Sequence, residues 1–509
     1  MGTKYVINVD LADIWAAPDR KKLLRTIAWG DEIAVTKITS AAIEVEAVVY
    51  VAQPEGSVVT EKTTGYIVPR KGMKIKPADV VVKPAQNDVL RVNFVDVQQG
   101  DGAVIESPDG KVILVDGGDN QMFARYLAGR FRNTSAAKPK DIDCILVTHG
   151  DADHFAGLVE IFKSEEHSEP RKRLFMRPHR VFHNGIVKRP SKKNKKTVPD
   201  RELLGATRET ADGLYITGLE DNLLKVTDAQ MNEPFLEWKT ALAQYNKRQK
   251  IDFRRLQFGD DKAFEFFNDG ALNIEVLGPN TVQVAGKPAL KFLGKPPEGP
   301  RIGHESLEDT DLRSSGASAS HTINGHSVVF KLNYGGFSYL FCGDLNDEAS
   351  RFLARESNKG TINLRSEIFK VPHHGSADFS GAFVQAVSPI VSVVSSGDES
   401  ARKEYIHPRA TLMGALGKYS RVPEPLVLVT ELVAFFTYEG AVLPADPRKA
   451  QKRGAFIGFS RAAFGMVKTR TNGSRLLVYT DSANVELKEA YAYELDESGQ
   501  PQPAPVIRV

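Results

Sequence analysis

The stretch of this chain that is most informative about its fold and chemistry is Thr148-His149-Gly150-Asp151-Ala152-Asp153-His154-Phe155-Ala156-Gly157. It places two imidazoles and two carboxylates within six residues, directly after the apolar run Cys144–Val147, which predicts a strand. In a turn that leaves a strand, His149 and Asp151 are spaced to converge on one ion. Asp153 and His154 can then reach a second ion. A solvated acidic loop is the alternative, but so dense a cluster of titratable groups is typical of a catalytic metal site.

Three further predicted strands end in residues that can bind a metal. Val112–Val115 precedes Asp116, Phe337–Cys342 precedes Gly343-Asp344, and Ile368–Val371 precedes Pro372-His373-His374. A lone aspartate after a strand is more typical of a turn than of a ligand. Because the pattern recurs at four strand ends, it predicts that these groups meet at one site.

The order of these residues resembles the metallo-β-lactamase superfamily, and within it the hydrolase domain of ComEC-type DNA-uptake proteins. The matching positions are Asp116, His149-x-Asp151-x-Asp153-His154, Asp344, His373-His374-Gly375-Ser376 and His407-Pro408. In ComEC-type domains an aspartate replaces the second histidine of the usual His-x-His-x-Asp-His loop, as Asp151 does here. Phe94–Asp101 is similar to the family's opening strand and its Gln-Gly-Asp turn. The resemblance covers about residues 88–425.

The resemblance implies an α/β fold, the αββα metallo-β-lactamase sandwich, with two mixed sheets flanked by helices and the site at one edge. Residues 88–425 would form this hydrolase domain, with a segment of about 165–320 inserted, and residues 426–509 a β-rich extension. Residues 1–85 alternate strand-like runs, at 4–7, 32–35, 47–51 and 65–68, with turns. They predict a small all-β domain that resembles a Src-homology-3 module.

For the site, the resemblance implies two divalent metal ions, zinc or manganese. His149 and Asp151 would hold one ion, Asp153, His154 and His374 the other, and Asp344 would bridge them. Asp116 would hydrogen-bond metal ligands without binding metal itself. Since an aspartate at position 151 is a harder ligand than histidine, Mn²⁺ competes seriously with Zn²⁺.

Most of the superfamily has one more histidine ligand before the bridging aspartate, and no residue here matches it cleanly. The candidates in that interval are His167, His179, His183, His304, His321 and His326. None lies in a recognisable ligand context, so we expect surface or loop histidines. Water or substrate would then complete the first ion's coordination, as a catalytic site requires.

The implied activity is hydrolysis of a phosphodiester, with nucleic acid as the substrate. Asp153, His373 and His407 are the predicted catalytic residues, and the two histidines would contact phosphate or protonate the leaving group. Core packing is the alternative role for these two histidines. Two other functions stay open: hydrolysis of a small phosphodiester or another ester, and binding by a non-enzymatic protein with a vestigial hydrolase domain.

The overall charge neither requires nor excludes a polyanionic substrate, because 67 basic residues balance 64 acidic ones to a net charge of +3. The run Lys188–Lys196 carries six positive charges and no negative one, and is either a solvated loop or an arm that contacts nucleic-acid phosphates. Cys144 and Cys342 lie in apolar strands, where we expect core packing. No segment has the pattern of a signal peptide or a membrane span, so we expect a cytoplasmic protein without membrane contact. The N-terminal domain is a candidate surface for a protein partner.

Three further segments have distinct patterns. Residues 220–250 carry apolar side chains near helical spacing and predict a helix buried on the core, with a lid as the alternative. Residues 279–320 are rich in glycine, proline and serine and predict a loop. Thr471-Asn472-Gly473 lies between two strand-like runs and predicts a hairpin.

Overall fold

The computed structural model of the chain describes residues 2–54, 58–70, 72–193, 195–295, 316–397, 407–433, 436–442, 456–461, 465–482 and 489–509. The chain divides into two compact units. One consists of Met1–Asn93, Glu106–Gly110 and Val467–Val509, and the other of Phe94–Ile105 and Lys111–Met466. The predicted site residues all belong to the second unit. His304 and the part of the predicted loop at 296–315 lie outside the described residues. In its described part the loop prediction is wrong for Val282–Val284 and Lys287–Lys291, which are paired antiparallel strands.

The strands up to the insertion are β1 (Thr3–Ile7), β2 (Leu11–Trp15), β3 (Leu23–Ala28), β4 (Glu32–Ile38), β5 (Ile43–Ala52), β6 (Val58–Ile67), β7 (Val81–Val82), β8 (Leu90–Val95), β9 (Gly102–Glu106), β10 (Val112–Asp116), β11 (Lys140–Ile142) and β12 (Cys144–Leu146). Those of the predicted insertion are β13 (Met176–Pro178), β14 (Arg180–His183), β15 (Lys192–Lys193), β16 (Lys196–Thr197), β17 (Thr207–Thr210), β18 (Gly213–Ile216), β19 (Asp252–Arg255), β20 (Leu272–Gly278), β21 (Val282–Val284) and β22 (Lys287–Lys291).

The later strands are β23 (Val329–Tyr334), β24 (Phe337–Phe341), β25 (Ile368–Lys370), β26 (Val391–Val394), β27 (Leu426–Val429), β28 (Phe436–Val442), β29 (Phe456–Arg461), β30 (Met466–Thr471), β31 (Arg475–Thr480), β32 (Ala490–Leu495) and β33 (Pro501–Ala504). The helices are α1 (Met122–Arg130), α2 (Ala152–Ser164), α3 (Glu233–Arg248), α4 (Ala319–Gly325), α5 (Asp347–Asn358), α6 (Gly381–Val387) and α7 (Ala410–Lys418).

The first unit is built from antiparallel strands. One sheet has the order β3-β2-β6-β5-β4-β1-β7, and β8-β30-β31-β32-β33 are neighbours in a second. The four N-terminal strands predicted from the sequence are confirmed as β1, β4, β5 and β6, whereas β2, β3 and β7 are additional. The predicted hairpin is also confirmed, since β30 pairs with β31 across Asn472-Gly473. The resemblance to a Src-homology-3 module stays a prediction, as do the predicted domain boundaries.

In the second unit, the strands β19-β14-β12-β10 form a parallel sheet, which β9 extends. Helices α1, α2 and α3 cover it and share one apolar core with its strands, through residues such as Phe123, Leu158 and Trp238. The unit is therefore a mixed α/β structure, as the sequence predicts.

A second sheet of the same unit has the order β20-β23-β24-β25-β26-β27, and β24 to β27 are parallel. Successive strand residues point to opposite faces. Leu340 and Phe369 accordingly pack into the core of helices α5, α6 and α7. On the opposite face, Phe341 stacks on Phe94 at 5.8 Å between ring centroids. The layers thus run in the order helices, sheet, sheet, helices.

The predicted buried helix of residues 220–250 is confirmed for α3, whose Phe235, Trp238 and Leu242 lie in the core. The prediction is wrong for residues 220–232, where two short 3-10 turns stand instead. Pro234 lies in the first turn of α3, where its missing N–H has no helical partner to lose, and the Asn232 side chain caps the helix.

Two smaller predictions can also be compared with the structure. Cys144 and Cys342 are buried thiols in the cores of the two sheets, as expected. Among the helices of the described residues, none combines the length and the apolar composition that a membrane span requires.

Candidate metal centre

The predicted site residues lie close together at the carboxyl ends of parallel strands. Asp116 ends β10, and the loop that begins at Thr148 follows β12 closely. In the other sheet, Asp344 follows β24 and His374 follows β25. The carboxyl ends of adjacent parallel strands meet at one edge of a sheet. The buried side chains gathered there, each at most 4% exposed, are Asp116, His149, His154, Asp344 and His374.

Four side chains form a compact cluster: Asp153, His154, Asp344 and His374. One nitrogen or oxygen of each lies within 4.8 Å of the others. The Nε2 atoms of His154 and His374 are each 3.2 Å from an oxygen of Asp344. In the described part of the chain, neither of these nitrogens nor Asp344 Oδ1 has a hydrogen-bond partner. Buried polar atoms without partners are costly, and here they face one another as the ligands of a cation would.

His149 and Asp151 also adjoin Asp344. His149 Nε2 is 3.9 Å from Asp344 Oδ2 and 4.0 Å from Asp151 Oδ2. The His149 and His154 rings lie 4.0 Å apart between centroids. The structure therefore brings together all six residues that were predicted as metal ligands, and Asp344 contacts both of their predicted groups.

Asp116 fixes the orientation of His154. Its Oδ2 is 2.9 Å from His154 Nδ1 and accepts a bond of 2.8 Å from the Thr148 hydroxyl. Its Oδ1 accepts a bond of 2.7 Å from the Thr148 main-chain nitrogen. When Nδ1 of His154 donates to a carboxylate, Nε2 keeps its lone pair directed into the cluster. Asp116 is thus positioned to orient His154 as a metal ligand.

Asp101 and Lys370 have the corresponding position behind His374, and the sequence reasoning missed both roles. Asp101 Oδ1 is 3.4 Å from His374 Nδ1, and Lys370 donates a 2.6 Å bond to Asp101 Oδ2. All three side chains are buried. The sequence contains the Gln-Gly-Asp turn that ends at Asp101 and a lysine four residues before His374. Neither feature indicates that these two side chains contact each other.

The charges of the cluster fit a divalent cation. Burial lowers the pKa of His154, but the carboxylates of Asp344 and Asp116 outweigh it and raise that pKa well above its usual range. At His374 burial is likewise outweighed, mainly by Asp344 and Asp101, which raise the pKa to about 10. Burial works against ionisation of Asp344, yet His374 and His154 hold its pKa well below its usual range. A cation that replaces these protons meets imidazole nitrogens and carboxylate oxygens, a donor set that suits Zn²⁺ and Mn²⁺.

Lys188 and Asn324 also reach the site, and both were missed as site residues. The Lys188 ammonium donates a 2.6 Å bond to Asp151 Oδ1. With its amide turned to donate, Asn324 Nδ2 lies 3.1 Å from Asp151 Oδ2. In the sequence, Lys188 is the first residue of the basic run. Nothing in its local sequence indicates that it points towards a carboxylate.

His373 and His407 border the cluster. The His373 ring lies 6.2 Å from the rings of His374 and His407 between centroids, and its Nε2 is 3.4 Å from the Asn324 amide. Burial, and then His373, lower the pKa of His407 to about 4. Both histidines lie near the predicted ligands, and their catalytic roles stay predictions.

The expectation that the remaining histidines are surface or loop residues is wrong for His183 and His321, which are buried in β14 and α4, whereas His326 lies in the turn after α4 and is also buried. His326 Nε2 is 2.7 Å from the Lys291 carbonyl oxygen, and His183 Nδ1 accepts a bond from the Gly185 main-chain nitrogen. His167 and His179 are partly exposed. No histidine of this interval joins the cluster in the parts of the chain that the structure describes.

The backbone of the site is held in unusual conformations. Asp116, His373 and His374 have φ angles of 56°, 50° and 53°, in a left-handed region that residues other than glycine rarely adopt. Such conformations persist only where the surroundings impose them, and they concentrate at functional sites. Gly100, at φ 100°, packs so closely on the main chain that a Cβ there would overlap the carbonyl oxygen of Asp153.

Comparison with known proteins agrees with this geometry. A family model described as the metallo-beta-lactamase superfamily matches residues 95–229. ComE operon protein 3 of Bacillus subtilis (strain 168) is 30% identical over 98 residues, which are 19% of this chain and 12% of the relative. Competence protein ComA of Neisseria gonorrhoeae is 40% identical over 86 residues, which are 17% of this chain and 12% of the relative. The matches thus span about an eighth of each relative's length, and they confirm the resemblance predicted from the sequence.

Proposed function

Because residues 95–229 carry a domain of the metallo-β-lactamase superfamily, we propose that this chain is a metal-dependent phosphodiesterase that cleaves nucleic acid. The observation that carries the proposal is the convergence of His154 Nε2, His374 Nε2 and Asp344 Oδ1, which are buried and face one another without hydrogen bonds among the described residues. Catalytic metal sites need such a set of preformed ligands at a protein's functional cleft.

The proposed site takes two divalent ions, zinc or manganese. One would be held by Asp153, His154 and His374, the other by His149 and Asp151, with Asp344 shared between them. When bound, such ions would act as Lewis acids towards a phosphodiester and make nearby water more acidic.

The other groups of the site bind, orient and move protons. Asp116 orients the His154 imidazole through its Nδ1 atom. At His374, Nδ1 lies 3.2 Å from the Ser395 carbonyl oxygen, and Asp101 Oδ1 is 3.4 Å from the same nitrogen. His373 borders the ligands without being one, so it is the candidate to contact a phosphate oxygen or to protonate the departing oxygen. His407 lies one ring further away and is the weaker candidate for this role.

A basic hairpin favours a polymeric substrate over a small one. Strands β15 and β16 pair, and the side chains of Lys192, Lys193, Lys195 and Lys196 are exposed. Among the described residues, none of these four lysines has an ion pair. Lys192 follows Lys188 by four residues, so its Cα lies within about 14 Å of the residue that contacts Asp151. Unpaired lysines at this distance are suited to phosphates of a strand whose scissile bond occupies the site. The resemblance to the hydrolase domain of ComEC-type DNA-uptake proteins also favours a nucleic-acid substrate, and the printed name of one relative, competence protein ComA, refers to competence.

The direct test is a cleavage assay in Mn²⁺ or Zn²⁺ with single-stranded DNA, double-stranded DNA, RNA and a small chromogenic phosphodiester. We expect cleavage of a nucleic acid that stops with chelator and is absent in Asp344→Asn, the control for contaminating nucleases. His373→Ala should retain its metal and lose about 10²–10⁴-fold in rate, the usual contribution of a general acid. Cleavage of the chromogenic compound alone would replace the nucleic-acid substrate with a small phosphodiester. Cleavage of none of the four would refute the proposed activity.

The hairpin is tested separately by salt dependence. A Lys192→Gln/Lys193→Gln double variant should weaken binding of single-stranded DNA to catalytically inactive protein. It should also reduce the slope of log K against log salt by about 1.4, because each phosphate contact contributes about 0.7. The control is Lys262→Gln/Lys287→Gln, which removes two exposed lysines elsewhere in the same unit. Equal slopes for the two double variants would show that the hairpin does not contact nucleic acid.

A further inference from the structure

Both oxygens of the Asp151 carboxylate already have protein donors. Oδ1 accepts a 2.6 Å bond from the Lys188 ammonium, and Oδ2 lies 3.1 Å from the Asn324 amide nitrogen when that amide is turned to donate. Asp151 is one of the two residues that the proposed function assigns to a single ion, and His149 is the other. An ion at this position would therefore share the carboxylate with a positively charged side chain, which repels it.

The neighbouring cluster differs in this respect. His154, His374 and Asp344 direct atoms at one another that have no hydrogen bond in the described structure. Asp153 Oδ2 accepts a single bond, of 3.1 Å, from the neutral Gln99 amide. No lysine or arginine of the described residues forms an ion pair with the carboxylates of Asp153 or Asp344, so a cation can bind there without displacing another one.

The position of Lys188 is set by its own main chain. The Lys188 carbonyl oxygen accepts a 2.9 Å bond from Asn232, the residue that caps α3, and the nitrogen of Arg189 donates a 2.8 Å bond to Leu203. These bonds hold the start of the basic hairpin against the helix and direct the lysine stem towards Asp151. The Lys188 side chain is still 29% exposed, so its flexible stem has solvent-filled space into which it can withdraw.

We propose that Lys188 and a divalent ion compete for Asp151, so that the two metal positions fill in a fixed order. The position at Asp153, His154, Asp344 and His374 fills first. The position at His149 and Asp151 fills only when the ion concentration is high enough to displace the Lys188 ammonium. Lys188 thereby sets the metal concentration at which the two-ion state forms. This inference rests on the metal binding of the proposed function and does not depend on which substrate is cleaved.

The test is a titration of the metal-depleted protein with Mn²⁺, followed by calorimetry and by the electron paramagnetic resonance signal of the bound ions. Wild type should bind two ions in separate steps, the second at least about tenfold weaker than the first. Lys188→Met, which keeps the length of the side chain and removes its charge, should tighten the second step by about tenfold or more and leave the first within about twofold. A coupled two-manganese signal should then appear at a lower Mn²⁺ concentration.

Two controls separate this effect from general changes. Lys192→Met removes an exposed lysine of the same hairpin and should titrate as wild type. Lys188→Arg retains a cationic donor and should keep the second step weak. If Lys188→Met unfolds during depletion, Lys188→Gln is used in the same titration with the same expectation.

The result that overturns the proposal is a second binding step that is the same in Lys188→Met and in wild type, or two ions that bind wild type in one step. Absence of any metal binding would overturn both this proposal and a metal-dependent function. Ordered binding by a protein that cleaves no phosphodiester would leave the present inference intact and refute only the proposed activity.

Discussion

Asp116→Asn is the most informative single substitution, because it keeps the size of a buried side chain and changes only which atoms can accept hydrogen bonds. The carboxylate is fully buried and accepts from the Thr148 main chain, the Thr148 hydroxyl and His154 Nδ1 at 2.7, 2.8 and 2.9 Å. Within the four-residue ligand cluster, its hydrogen-bond partner is His154. Its proposed role is to set the proton position on His154.

The size of the effect follows from these three bonds. If the asparagine oxygen replaces Oδ2, the amide NH₂ meets the main-chain N–H of Thr148, and an unpaired buried donor costs about 1–3 kcal/mol of stability. If the oxygen replaces Oδ1, the NH₂ meets His154 Nδ1. His154 must then carry its proton on Nε2, the atom that faces Asp344. We therefore expect metal affinity to fall about 10–100-fold, the usual effect of removing the partner of a metal-bound histidine.

Metal affinity is measured by competition with a chromophoric chelator, and denaturant unfolding of each variant separates lost stability from lost binding. The matched control is Asp143→Asn, an aspartate beside the same sheet whose Oδ2 accepts one bond of 2.8 Å from Val112. An amide oxygen can keep that single bond, so this variant should bind metal as wild type does. If Asp116→Asn also bound Zn²⁺ and Mn²⁺ with unchanged affinity, the reasoning about His154 would be refuted.

Two further predictions concern packing and pH. Gly100→Ala should lower stability and metal affinity together, because its Cβ would overlap the Asp153 carbonyl oxygen. The control is Gly259→Ala, at φ 81° with open space around the Cβ, which should lower the free energy of unfolding only by the roughly 1 kcal/mol backbone effect. Equal losses of unfolding free energy in the two variants would contradict the overlap at Gly100. Burial lowers the pKa of His326 to about 4, so the folded protein excludes a proton that the unfolded chain binds below its ordinary pKa of about 6.5. Stability should consequently fall by on the order of 1 kcal/mol per pH unit from this group as pH drops from about 6.5 towards 4. His326→Gln, whose amide can still donate to the Lys291 carbonyl, should show a shallower slope in unfolding measured at pH 7, 6 and 5, and an unchanged slope would exclude this origin.

The fold could be predicted where strands end in chemically distinctive residues. β10, β12, β24 and β25 were all located from an apolar run followed by an aspartate or histidine. The strands β2 and β3 were missed because polar residues interrupt their apolar pattern: Leu11–Trp15 carries a buried aspartate, Asp13, that accepts a 2.7 Å bond from the hydroxyl of Thr26. In the sequence, a polar residue of such a buried pair resembles a loop residue, because its hydrogen-bond partner cannot be identified.

For the site, the sequence was informative about ligands and uninformative about the residues that hold them. Motif spacing identified all six predicted ligands, because each lies next to a strand end or at the first turn of α2. Lys370 and Asp101 are 269 residues apart, and their 2.6 Å contact depends on how the two sheets face each other. Spacing along a chain carries no information about such a contact, which only the packing of strand faces creates.

Lys188 shows what this distinction means for the chemistry. The ligands stand on strand ends and on the first turn of a helix, elements whose geometry is fixed by the cores beneath them. Lys188 belongs to the predicted insertion, and among the described residues two main-chain bonds, at Lys188 and Arg189, hold it beside Asp151. Loops tolerate sequence change far better than strand ends do. Metal loading at Asp151 is therefore the adjustable property of this site: changes in the insertion can shift the ion concentration that the two-ion state requires while every ligand in the motifs stays the same.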